Sequence, residues 1–98
     1  MYDIHIQMKF EWHEEKARLN FNKHNISFEE AMSCFYDPYQ ISFEDPDSSK
    51  SESREILIGH SNKGRLLLVI HTFRKTFIRI ISARSATKKE RRDYAKKI

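Results

Sequence analysis

Two arginines interrupt an otherwise apolar stretch, Phe77-Ile78-Arg79-Ile80-Ile81-Ser82-Ala83-Arg84. A guanidinium inside a strand offers fixed, paired donors that match phosphate or carboxylate oxygens, so Arg79 and Arg84 are the first candidates for holding an anion. Residues 74–98 carry ten Lys or Arg against only Glu90 and Asp93, a local charge of +8 in a chain of +4, which leaves residues 1–73 at −4. That asymmetry implies an anion-facing side and a polyanionic partner. Other chemistry is poorly supplied. The five histidines (His5, His13, His24, His60, His71) lack close ligand spacing, so no metal is expected. Cys34 is the only cysteine, which excludes an internal disulfide and a thiolate zinc cage; amid Ala31-Met32-Ser33 and Phe35 it is expected to be a small buried hydrophobe. Glu29 and Glu30 fall in a first helical turn, where capping and the helix dipole account for them.

The elements that must position these groups follow from patterning. Leu66-Leu67-Leu68-Val69-Ile70 is an unbroken apolar run of strand length, the mark of a central strand covered on both faces. After the polar break Arg74-Lys75-Thr76 comes the strand Phe77–Arg84, and Thr87 followed by Glu90 forms a capping box that starts a basic helix from Lys88, with Tyr94, Ala95 and Ile98 as its apolar edge. Upstream, Met8–Trp12 alternates as a short strand. Glu14–His24 reads as a helix with acids first and bases last, stopped by Asn25 in a left-handed conformation. Its helical spacing predicts a buried face of Ala17, Asn20, Phe21 and His24, with Asn20 and His24 either aimed at a site or bonded at the core edge. Ser27 and Glu30 cap a second helix running to about Tyr36, closed by Asp37-Pro38. Strands follow over Tyr39–Glu44 and Glu55–His60, separated by a mobile Asp/Ser/Pro-rich loop over 45–53, and Ser61–Gly64 turns the chain into the central strand.

With 98 residues there is room for one domain, and 39% hydrophobic against 33% charged residues fits a globular chain rather than a disordered one. No apolar run approaches the roughly 18 residues of a membrane span, and Met1–Gln7 lacks the build of a secretory signal. A cytoplasmic protein with no membrane partner is expected. Residues 1–7 read as an extra or disordered segment before a domain over 8–94.

Read as a whole, the chain resembles the BrnT family of bacterial type II toxins, ribonucleases with a RelE-like fold. The resemblance rests on Phe10-Glu11-Trp12 before a helix, NFNKHNISFEEA (Asn20–Ala31), Phe35 with Asp37-Pro38, IGHSNKGRLLLVIHT (Ile58–Thr72) and RIISARSATKKER (Arg79–Arg91). This chain departs from relatives at Asn25, where Gly is typical, and at Phe73, where an acidic residue is frequent. The fold expected is therefore α+β: a short N-terminal strand and two helices on a mainly antiparallel sheet, with a C-terminal basic helix. The resemblance implies RNA cleavage that halts translation and neutralisation by a BrnA-like antitoxin. It further implies a homodimer within a 2:2 complex, with operator DNA bound only through the antitoxin.

Cleavage of RNA without a metal needs a group to take the 2′-hydroxyl proton, cations around the scissile phosphate and a proton for the leaving 5′-oxygen, giving a 2′,3′-cyclic phosphate. Arg79 and Arg84 are the expected phosphate clamps, and His71 is the expected base or acid, with His24 the other histidine considered. Lys23 and Arg74 stand as secondary charge stabilisers. Lys88, Lys89, Arg91 and Arg92 are expected to track the RNA backbone, and Tyr94 either stacks on a base or closes the core edge. A non-catalytic nucleic-acid or antitoxin-binding module would keep only the basic face, and an obligate structural subunit would show no toxicity on induced expression.

Overall fold

The structure, a computed structural model, describes residues 8–47 and 53–96. The segment 1–7 and most of the loop expected over 45–53 lie outside the described residues. Five strands, β1 (Lys9–Glu11), β2 (Ile41–Glu44), β3 (Glu55–His60), β4 (Leu66–Arg74) and β5 (Phe77–Ser85), form one sheet in the order β1-β5-β4-β3-β2. All neighbours are antiparallel except β1, which runs parallel to β5. Helices α1 (Glu14–His24) and α2 (Phe28–Ser33, continued by a 3-10 turn over Cys34–Tyr36) lie between β1 and β2 in sequence, and α3 (Lys88–Lys96) ends the described chain.

β4 sits in the middle and contributes to two cores, as its unbroken apolar run predicts. Leu67 and Val69 join Ile26, Phe28, Ala31, Cys34 and Phe35 beneath α1 and α2, while Leu66 and Leu68 join Ile58 and Tyr94 beneath α3. Burial of each such side chain is worth about 1.5–3 kcal/mol, so both faces of the strand hold the fold together. Local signals set the helix ends. Asn25 adopts φ 60° and ψ 33°, and its N–H donates to the Phe21 carbonyl. The Glu30 N–H donates to Ser27 Oγ at 3.0 Å. At α3, the Glu90 N–H donates to Thr87 Oγ1 and the Thr87 N–H to Glu90 Oε1, a closed capping box.

Three details differ from the patterning. α1 is rotated so that Phe21 is exposed while Asn20 is buried. The reason is a specific pair of bonds: Asn20 Nδ2 donates to the Ala83 carbonyl at 2.9 Å and its Oδ1 accepts from the Ala83 N–H at 3.1 Å, so the amide serves as a strand residue on the open edge of β5. β2 starts at Ile41 because Tyr39 and Gln40 are held in a turn by Asp37, whose Oδ1 accepts from the Tyr39 N–H and whose carbonyl accepts from the Gln40 N–H. β4 runs on to Arg74, beyond the apolar run, because His71–Arg74 pair with residues 77–80 across a tight turn in which Lys75 has φ 56°.

Candidate active site

One irregularity in β5 decides where its arginines point. Ile70 pairs with Ser82 but His71 pairs with Ile80, so Ile81 is an extra residue, a β-bulge. Ile78, Ile80 and Ala83 thereby all face the core under α1 and α2, and Arg79 and Arg84 share the opposite face, where a regular strand would have split them. Sharing a face does not bring them together. Their partners on β4, Thr72 and Leu68, are four positions apart, roughly 13 Å at about 3.3 Å per residue. Each has its own carboxylate: Arg79 Nε donates to Glu11 Oε2 at 3.1 Å, and Arg84 donates to both oxygens of Glu90, each at 2.9 Å. The expected single clamp of Arg79 with Arg84 is therefore not formed.

Around Arg79 a different group assembles. Glu11 lies opposite Arg79 in the parallel β1–β5 pair, and Arg74 lies opposite Phe77 across the hairpin. Arg74 Nε stands 4.0 Å from the same Glu11 oxygen. Glu11, Phe73, Arg74, Lys75, Phe77 and Arg79 line an open cavity of about 460 Å³. One carboxylate thus sits among two guanidinium groups and an ammonium, beside two exposed aromatic rings, Phe73 and Phe77.

The basic lining continues beyond this cavity because β1 is only three residues long and covers β5 no further than Arg79. Past that point α1 runs along the uncovered edge. A cavity of about 130 Å³ is walled by His13, Lys16, Arg54, Arg79, Ile80 and Ile81. The next, of about 210 Å³, is walled by Lys16, Leu19, Lys23, His24, Ile81 and Ser82 around Asn20. Arg79 belongs to the first and second cavities, and Lys16 and Ile81 to the second and third, so they adjoin as one track. Four sequence candidates, Arg74, Arg79, Lys23 and His24, fall along it, and Glu11 is the one carboxylate in its walls among the described residues.

The remaining candidates lie elsewhere. His71 is 1% exposed, its ring edge-on to Phe35 and Phe73, so it lies behind the cavity wall and lines none of the three cavities, and burial pushes its pKa down, which favours the neutral imidazole. Arg84 is held by Glu90, whose hydrogen bonds raise its pKa further. Lys88, Lys89, Arg91 and Arg92 ride on α3, which leaves β5 at the end opposite the Arg74–Phe77 hairpin; Lys89 pairs with Asp93 at 3.1 Å and the others are solvent-exposed. The C-terminal quarter does not gather its charges around one pocket. Tyr94 closes the core edge: it is buried, its hydroxyl donates to Asp37 Oδ2 at 2.7 Å, and burial with that carboxylate lifts its pKa to about 12. Glu30 is buried and bonded to Arg65 and Ser61, tying α2 to the β3–β4 turn. Cys34 is buried as expected, and its thiol is pushed up to about 12 by burial. Among the described residues no three His, Cys, Asp or Glu group as metal ligands would.

Glu11, Lys16, Arg54 and Phe77 escaped the sequence reading. Glu11 meets Arg79 through a parallel pairing 68 residues distant in sequence, which no local pattern encodes. Phe77 was legible: it stands two positions before Arg79 and so shares its face.

Comparisons with known proteins bear on this arrangement. Residues 12–90 match the family model described as the ribonuclease toxin, BrnT, of type II toxin-antitoxin systems. The fold is similar to the 1.1 Å crystal structure of the Brucella abortus ribonuclease toxin BrnT, with a TM-score of 0.57 and 27% identity over 84% of this chain and 100% of that one. No curated protein matches the chain in sequence.

Proposed function

The chain belongs to the BrnT family of ribonuclease toxins of type II toxin-antitoxin systems, and from that membership we propose that it is a metal-independent endoribonuclease whose reaction takes place at the Glu11–Arg74–Arg79 cavity. The observation that carries this reading is the single carboxylate set between two guanidinium groups at the head of a cationic track. Glu11 accepts the proton of a 2′-hydroxyl. The 2′-oxygen then bonds to phosphorus, the bond to the 5′-oxygen breaks, and that oxygen takes a proton from water, leaving a 2′,3′-cyclic phosphate. Arg79 and Arg74 turn from Glu11 to the phosphate oxygens as these gain charge, which is where fixed donors lower a barrier most. Lys16, Lys23 and His24 hold flanking phosphates.

In the cell this activity arrests translation, and a BrnA-like antitoxin neutralises it, in a 2:2 complex whose operator binding belongs to the antitoxin. The protein acts in the cytoplasm as one domain. A second reading, a non-catalytic module that binds nucleic acid or antitoxin, is favoured by the Arg79–Glu11 ion pair, which satisfies both groups without substrate. Incubating the purified protein with RNA in EDTA separates the two. Cleavage to ends bearing a cyclic phosphate supports the enzyme. RNA left intact with and without ribosomes supports the module.

A further inference from the structure

Phe77 is 39% exposed and belongs to neither core cluster. It lies opposite Arg74 across the hairpin and beside Lys9 in β1, two positions from Arg79 on the same face. Its nearest neighbours on that face are Lys9, Arg74 and Arg79, with Glu11 and Thr72 on the diagonals, an odd setting for a ring with a packing role; the cavity's other ring, Phe73, packs edge-on against the buried His71 instead. The cavity beside Phe77, about 460 Å³, falls within the ~300–1,000 Å³ typical of small-ligand sites. Nucleic acids present this combination of needs: a flat apolar surface for a base, next to cations for the adjoining phosphate. A base inside a duplex has both faces already stacked and cannot use such a platform.

We propose that Phe77 is the stacking platform for an unpaired RNA base next to the scissile phosphate, and that the strand continues from it along the α1 track past Lys16 to Lys23. The substrate class is thereby single-stranded RNA. This rests on the cleavage site assigned above, so the test uses a strand that cannot be cut and reads binding alone. Stacking is independent of charge, and the track is not, so the two contributions separate by salt. Loss of one base stack corresponds to about a 5- to 150-fold loss of affinity.

The experiment is fluorescence anisotropy with a labelled 2′-O-methyl oligonucleotide, single-stranded or annealed to its complement, over a range of salt concentrations. Wild type binds the single strand and binds the duplex at least about tenfold more weakly. Phe77→Ala and Phe77→Leu each lose about tenfold or more with an unchanged salt slope, whereas Phe77→Tyr stays within about threefold. Lys23→Ala instead reduces the magnitude of the salt slope by about 0.7. Phe77→Leu binding as wild type does, duplex binding equal to single-strand binding, or no binding of either by wild type overturns the proposal. A wild type that binds as expected here but leaves cleavable RNA intact would defeat the cleavage reading and not this one.

Discussion

Arg79 and Arg84 carry the same charge on the same face of one strand, yet their partners give them different work. Glu90 grips Arg84 with two hydrogen bonds while its other bond caps α3, so this arginine joins a strand end to a helix start. Arg79 shares Glu11 with Arg74 at the mouth of an open cavity. Glu11→Gln should therefore lower cleavage by about 10²–10⁴-fold if the carboxylate is the base, while the pair, with both side chains more than a third exposed, adds at most about 1 kcal/mol to stability. Initial rates on a short RNA, with thermal unfolding in parallel, check both halves. His71 makes the opposite prediction. Its folded pKa is depressed by burial, so it stabilises the protein above its unfolded value of about 6.5, and that contribution drains away as pH falls through the lower folded value. His71→Phe should keep cleavage and flatten the stability profile as pH falls below about 6.5, as urea midpoints would show. The sequence exposes the histidine's type but not its burial, because burial is decided by Phe35 and Phe73 folding over it.

At the scale of elements, the helices were legible because each carries its own punctuation: Asn25, Ser27 with Glu30, and Thr87 with Glu90 act over three or four residues. The joints between elements were not. The Asn20–Ala83 bonds and the parallel β1–β5 pairing span more than 60 residues, and the bulge at Ile81 shows only when two strands are laid side by side. α3 illustrates a joint that can be tested. Burial alone would raise the Asp37 pKa, but N–H bonds from His60 and Tyr39 and the Tyr94 hydroxyl outweigh it and hold the carboxyl below its usual range. This contribution is present above the unfolded value of about 3.9 and is lost as pH falls below it. Tyr94→Phe should cost about 1–2 kcal/mol in chemical denaturation at pH 7. Asp37→Asn should be less stable than wild type at pH 7 yet lose less on acidification below about pH 4, with Glu30 and Glu90 supplying the remaining acid sensitivity. Equal acid sensitivity in both proteins would show that Asp37 does not anchor the helix electrostatically.

For the whole molecule, the excess charge of residues 74–98 was expected around one pocket, and the fold divides it instead. The fold sends Arg74, Lys75 and Arg79 to one end of β5 and the basic residues of α3 to the other, then recruits Lys16, Lys23 and Arg54 from the net-acidic part of the chain. Charge counted along the sequence cannot anticipate that redistribution, since it depends on which strand edge β1 leaves uncovered. The family resemblance, by contrast, was readable from Asn20–Ala31 and Arg79–Arg91, and the match over residues 12–90 agrees with it. RNA affinity should fall steeply with salt, and replacing Lys16 or Lys23 by Ala should each remove about 0.7 from the slope of log affinity against log salt, whereas Arg91→Ala should leave it nearly unchanged. The most direct test sets Arg79→Ala against Arg84→Ala, both verified as folded, on the same RNA in EDTA. The cavity at Glu11 predicts a loss of kcat/KM of about 100-fold or more for Arg79→Ala and less than about tenfold for Arg84→Ala. Abolished cleavage in Arg84→Ala with activity retained in Arg79→Ala would contradict it.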